Sequence, residues 1–173
     1  RDSPGFLPRG SFARASAGYR LNPATGLYEN ISTNLPRYVA GKHGYGLLLE
    51  KAETNQLLRS SEFDNASWSK TNITVTANVA AAVDPFGTGT ADNLSFTNTT
   101  NALLQSSAYT PSASTSPVTV YIWMKSASGD KTIQLGISQL GSVIGSSNVV
   151  VTKEWQLFSH TQTSGFDTVN LAQ

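Results

Sequence analysis

The sequence predicts an all-β protein, an antiparallel β-sandwich or jelly roll preceded by an extended N-terminal arm. Three observations carry that reading. Seven segments after Trp68 are β-branched, alternate in polarity and are divided by Ser, Gly, Asp and Pro turns. Outside residues 46–68 no stretch has the apolar spacing of an amphipathic helix. Ser (22), Thr (19) and Asn (12) supply 53 of 173 residues and charged residues only 13%, against about 25% in an average domain. A neutral surface of hydroxyls and amides, rich in β-branched Thr, suits exposed sheet faces.

The elements follow in chain order. Residues 1–12, "RDSPGFLPRGSF", hold two Pro and two Gly with no hydrophobic period and read as the arm. Residues 13–68 alternate turn signals ("NPATG", "TNLP", "GKHG") with short pieces around Tyr19, Tyr28, Tyr38 and Tyr45, and read as short strands and loops. Within them "GLLLEKAETNQLL" reads as a buried strand feeding a turn closed by Thr54 and Asn55. Residues 69–173 form the sandwich, with strands expected at 72–80, 90–96, 102–109, 117–125, 131–138, 147–152 and 154–161.

Alternation assigns the faces. Val118, Val120, Ile122 and Met124 share one side of their strand, and Thr119, Tyr121 and Trp123 the other. Ile133, Leu135 and Ile137 likewise oppose Thr132, Gln134, Gly136 and Ser138. The aliphatic sides are expected to make the core, together with Trp68 and Trp155. That leaves Tyr121 and Trp123 on an outward or concave sheet surface.

Composition excludes several functions. Net charge is +1, with eight Lys/Arg and four Asp/Glu in residues 1–59 and four and seven in the rest. No basic cluster exists to neutralise a run of phosphates, so no nucleic-acid partner is expected. No apolar run approaches the roughly 20 residues of a membrane helix, and no membrane insertion is expected. The absence of Cys removes disulfides and thiolate chemistry.

Catalytic groups do not converge either. His43 lies in a Gly-rich turn and His160 in a strand, and neither has metal-ligand or triad spacing. Glu50, Glu53, Glu62, Asp64, Asp84 and Asp92 are the available acids, and nothing singles out a pair for glycoside hydrolysis. The chain is therefore expected not to be an enzyme. Asp84 and Asp92 flank "DPFGTGTAD", where a structural Ca²⁺ could bind carboxylates and carbonyls, although Pro and Gly explain a tight turn equally well. Carbohydrate binding needs rings to stack on pyranose faces and amides or hydroxyls for the OH groups. Tyr121 and Trp123, with Thr119, Gln134 and Ser138 nearby, have that composition; alternatively the rings could be covered by the N-terminal segment or a neighbouring subunit.

Five stretches occur in a fixed order: "FARASAGY", "NLPRY", "GLLLEKAETNQLLRSSEFDNASW", "VTANVAAAVDPFGTGTADNL" and "VYIWMKSASG". That order resembles a domain of tailed-phage structural proteins and phage-derived particles, found in head-fibre, head-spike and tail-fibre subunits. The matching positions are Arg14, Ser16, Tyr19, Pro36, Arg37, Tyr38, Gly46, Leu47, Leu48, Glu50, Thr54, Asn55, Leu57, Leu58, Ser60, Phe63, Trp68, Ala91 and Asp92. The sequence departs from the pattern at Glu53, where Arg is usual, at Gln56, and at the turn Asp84-Pro85-Phe86-Gly87.

The resemblance implies a jelly roll similar to carbohydrate-binding modules, carried on a virion, commonly as a homotrimer. Implied partners are capsid, portal or tail proteins and host-surface glycan, and because similar chains usually end with further strands, the sandwich of residues 69–173 is expected to lack its last ones. On that basis the arm is expected to anchor the subunit, with Phe6, Leu7 and Phe12 buried by a virion partner and Arg1, Arg9 and Arg14 meeting acidic or carbonyl groups. Tyr121, Trp123 and Gln134 are the expected glycan contacts. The alternative expectation is a carbohydrate-binding module of a secreted multidomain protein.

Overall fold

The computed structural model describes residues 13–41, 44–49, 55, 57–98, 101–107, 117–139, 142–163 and 168–172. Among them there is no helix, and the chain is an all-β protein whose larger part is an antiparallel sandwich. Two compact units divide it: Arg1–Glu53 with Pro85–Gly87, and Thr54–Asp84 with Thr88–Gln173. The second unit takes in residues from Thr54 onward as well as the expected sandwich segment. The reason is local: Leu57 and Phe63 pack against the core that Trp68 helps to form.

The first unit holds two hairpins. Strands β1 (Gly18–Leu21) and β2 (Tyr28–Ile31) pair antiparallel, as do β3 (Tyr38–Gly41) and β4 (Gly44–Leu47). Arg14 Nη2 donates to the carbonyls of Ile31 (2.7 Å) and Ser32 (2.6 Å), and Arg37 Nη1 to that of Tyr19 (3.0 Å). Both guanidiniums crowd Gly18, where an added Cβ would lie 2.5 Å from Arg14 Nη1. Arg14 therefore meets backbone carbonyls of its own chain. The side chain of Phe86 packs against Tyr19 and Tyr28, with ring centroids 5.1 and 5.4 Å apart.

No described large hydrophobic side chain of this unit is buried. The buried strand expected in "GLLLEKAETNQLL" is not formed in the described residues. Only Leu47 of its leucines lies in a strand, and Leu49 is 77% exposed. Burying a strand on both faces requires a layer on each side, and a two-stranded pair supplies neither.

The second unit contains the core. A five-stranded antiparallel sheet runs in the order β11 (Ser142–Val151), β10 (Lys131–Gln139), β13 (Thr168–Ala172), β8 (Leu103–Ser106), β5 (Trp68–Thr71). Facing it are two strand pairs, β6 (Ile73–Thr76) with β7 (Asn93–Phe96) and β9 (Val118–Met124) with β12 (Gln156–Gln162). Leu104, Ile133, Leu135, Ile137, Val169 and Leu171 line the inner side of the large sheet, and Ile73 and Val120 meet them from the pairs. Each such fully buried aliphatic contributes on the order of 1.5–3 kcal/mol.

All seven expected strands are present, and the faces assigned to β9 and β10 from alternation are the observed ones. Trp68 is 3% exposed, stacks edge-on with Phe63 at 4.9 Å and donates from Nε1 to the Arg59 carbonyl at 2.9 Å. The sequence reading misses β5 and β13, and β13 is the central strand of the large sheet.

Two polar devices fix the connections of this unit. Asn72, with φ of 54°, turns the chain from β5 in one layer into β6 in the other. Asp84 is buried and its carboxylate accepts from the Thr88 and Thr90 N–H groups and the Thr88 hydroxyl, at 2.9–3.2 Å. Asp92 accepts from Phe63 N–H (2.7 Å) and Asn78 N–H (3.0 Å). The two acids read as candidate Ca²⁺ ligands thus accept protein donors, and among the described residues no group of three or more His, Asp or Glu gathers.

Candidate functional site

The structure divides the expected glycan contacts between two faces. Tyr121 and Trp123 lie on β9, while Gln134 lies on β10 in the other layer. Val120 and Ile122 on one strand, and Ile133 and Leu135 on the other, point into the shared core. Their odd neighbours on β9 and the even one on β10 therefore point outward on opposite sides. Adjacency of Gln134 to the two rings is not formed.

The first face belongs to β9 and β12. The register pairs Thr119 with Thr161, Tyr121 with Ser159 and Trp123 with Leu157. These residues alternate with Phe158, Val118 and Ile122, which pack on the core, so the paired set faces out. Tyr121 is 65% and Leu157 50% exposed, and Trp123 is half-buried between them in the pattern. The Thr119 and Thr161 hydroxyls share a hydrogen bond of 2.8 Å at one end.

Trp155 extends this outward parity and corrects its expected place in the core. The residue is half-buried, its Nε1 donates to the Val83 carbonyl at 2.7 Å, and Lys125 Nζ sits 5.2 Å from its ring centroid. A ring anchored at one edge with a cation over it is a surface ring. Trp155 and Leu157 were missed because "EWQLF" places large side chains at both parities, so alternation alone cannot say which side is buried. The pairing of Leu157 with the outward Trp123 decides it.

The second face is the outer side of the five-stranded sheet. Register brings Thr71, Leu103, Ala172, Gln134 and Asn148 into one row across all five strands. That row lines a shallow groove of about 460 Å³, to which Thr132 also contributes. Of these residues only Gln134 was expected as a contact.

His160 lies on the inward parity of β12, opposite Val120. Its Nδ1 is 2.9 Å from the Ser147 hydroxyl, and its Nε2 is buried with no hydrogen-bond partner among the described residues. A serine activated for attack needs an imidazole held by a third group, and the available ring nitrogen meets none. The arm residues Phe6, Leu7, Arg9 and Phe12, with His43, Glu50 and Glu53, lie outside the described residues.

Comparison with protein-family models, with curated proteins and with solved structures found no match.

Proposed function

We propose that this chain is a fibre or spike subunit of a tailed phage or phage-like particle that attaches to host-surface glycan through the outer face of β9 and β12. The observation that carries the glycan part is the outward set of exposed Tyr121, half-buried Trp123 and exposed Leu157, flanked by the hydroxyls of Thr119, Ser159 and Thr161. Rings beside hydroxyls offer a sugar both an apolar surface and hydrogen-bond partners. The virion part rests on the ordered motifs from "FARASAGY" to "VYIWMKSASG". Jelly-roll winding, anchoring by residues 1–12 and a homotrimeric state belong to the same proposal.

Exposed apolar side chains of the first unit support assembly with other subunits. Tyr45 is 71% exposed and Leu49 77%, and Leu21 and Leu35 are exposed with them. Such surface is usually covered by a partner. The chain's role on a particle is tested by immunogold labelling of purified particles. Label on projecting fibres or spikes is the expected result; label-free particles that contain every other structural protein would refute the virion assignment.

The second reading, a binding module within a secreted multidomain protein, draws on a separate observation. Among the described residues the buried aliphatic and Trp side chains all belong to the sandwich unit, which therefore has its own core. In that case the glycan would be bound in the same way and no particle would carry the label.

A further inference from the structure

We infer that the groove on the outer side of the five-stranded sheet is a second binding site, selective for a neutral oligosaccharide over an acidic one. It stands independently of the β9–β12 face.

The row Thr71, Leu103, Ala172, Gln134, Asn148 puts two apolar side chains in the middle of the sheet and polar ones at both flanks. Leu103 and Ala172 are half-buried and form a floor, while Thr71, Thr132, Gln134 and Asn148 are exposed. A pyranose has the matching division, with C–H groups on its faces and hydroxyls around its rim. The volume of about 460 Å³ falls within the range of small-molecule sites, roughly 300–1,000 Å³.

The side chains narrow the ligand class. Gln134 and Asn148 face each other across the β10–β11 ladder, and neither amide has a hydrogen-bond partner among the described residues. Each carboxamide offers two N–H donors and a carbonyl acceptor, a set that suits vicinal hydroxyls. No lining residue carries a charge. A carboxylate or sulfate entering here would lose hydration without gaining a counter-charge, whereas a neutral polyol would exchange water hydrogen bonds for amide ones.

A peptide strand fits less well. Strands β8, β13 and β10 beneath the floor are paired on both sides, so their backbone groups are engaged in the sheet. Peptide capture by strand addition requires an open edge, which the middle of this face lacks.

The test is a ¹⁵N–¹H NMR titration of the 173-residue chain with chitotriose and maltotriose, and with sialyllactose and trigalacturonate as acidic comparators. Tryptophan emission is followed in parallel, because none of the three tryptophans lines the groove. The expected result is amide shifts centred on Leu103, Gln134, Asn148 and Ala172 with a neutral sugar, little change in emission, and binding weakened at least fivefold by an acidic group. Gln134→Ala and Asn148→Ala, both exposed substitutions, are each expected to weaken binding about three- to tenfold while leaving the thermal midpoint unchanged.

Trp123→Ala separates this site from the face of the proposed function. Groove shifts that persist in Trp123→Ala support the inference. Shifts confined to Tyr121 and Trp123 and abolished by Trp123→Ala overturn the groove while leaving the β9–β12 reading intact. Equal or tighter binding of the acidic sugars in the groove overturns the selectivity and with it the inference, as does a full panel without binding at millimolar concentration.

Discussion

Single residues set the path of the chain where strand propensity cannot. Between "WSKT" and "ITVT" nothing in the alternation marks a change of layer, yet Asn72 adopts φ of 54° and its side chain donates to the Asn101 carbonyl at 3.1 Å. Asn tolerates the left-handed region, and a β-branched residue there costs roughly 1–2 kcal/mol. Asn72→Val and Asn72→Gly both lose the amide bond, so their difference isolates the backbone term. Urea unfolding is expected to find the Val variant about 1–2 kcal/mol less stable than the Gly variant; equal midpoints would show that the corner is held by the side chain alone. Gly136 is constrained differently, since a Cβ there would lie 2.9 Å from the Gly145 carbonyl oxygen across the β10–β11 ladder.

Elements were legible in proportion to how local their signals are. In "PVTVYIWMK" and "KTIQLGIS" alternation alone separates the core side from the outer side, and the observed burial follows it. Strand β13 carried no comparable signal: in "TVNLA" the buried Val169 and Leu171 alternate with Thr168 and Asn170, which are buried as well. Its place between β10 and β8 is fixed by pairing with residues 30 or more positions away, which a local pattern does not encode. The candidate faces share that limit. Tyr121 and Trp123 were readable as outward, but whether Gln134 joined them depended on which layer received β10. The Thr71–Asn148 row exists only through four registers at once. If β13 is the keystone of the sheet, Leu171→Ala should cost about 2–5 kcal/mol, as much as Leu135→Ala in β10. A Leu171→Ala loss below about 1 kcal/mol in urea unfolding would contradict the central placement.

At the scale of the whole molecule, the two units differ in what holds them. The sandwich unit buries its aliphatic residues between layers, while the hairpins of the first unit leave Tyr19, Leu21, Tyr45, Leu47 and Leu49 exposed. Hairpins of two strands are marginal without a covering surface, so this unit is expected to gain its cover from other subunits. Light scattering coupled to size exclusion should find the 173-residue chain as an oligomer, shifted toward smaller species by the double change Tyr45→Ser and Leu49→Ser; a strictly monomeric wild type would contradict this cover. The outer faces of the sandwich carry rings on one side and neutral amides on the other. The most direct test of attachment through the ring-bearing face is a glycan-array and titration comparison of wild type with the Tyr121→Ala, Trp123→Ala double variant. The account predicts defined glycans whose affinity falls at least about tenfold in the variant, ~1.4 kcal/mol, with the fold unchanged by circular dichroism. An array on which wild type binds nothing, or on which the variant binds every glycan as well as wild type, would contradict it.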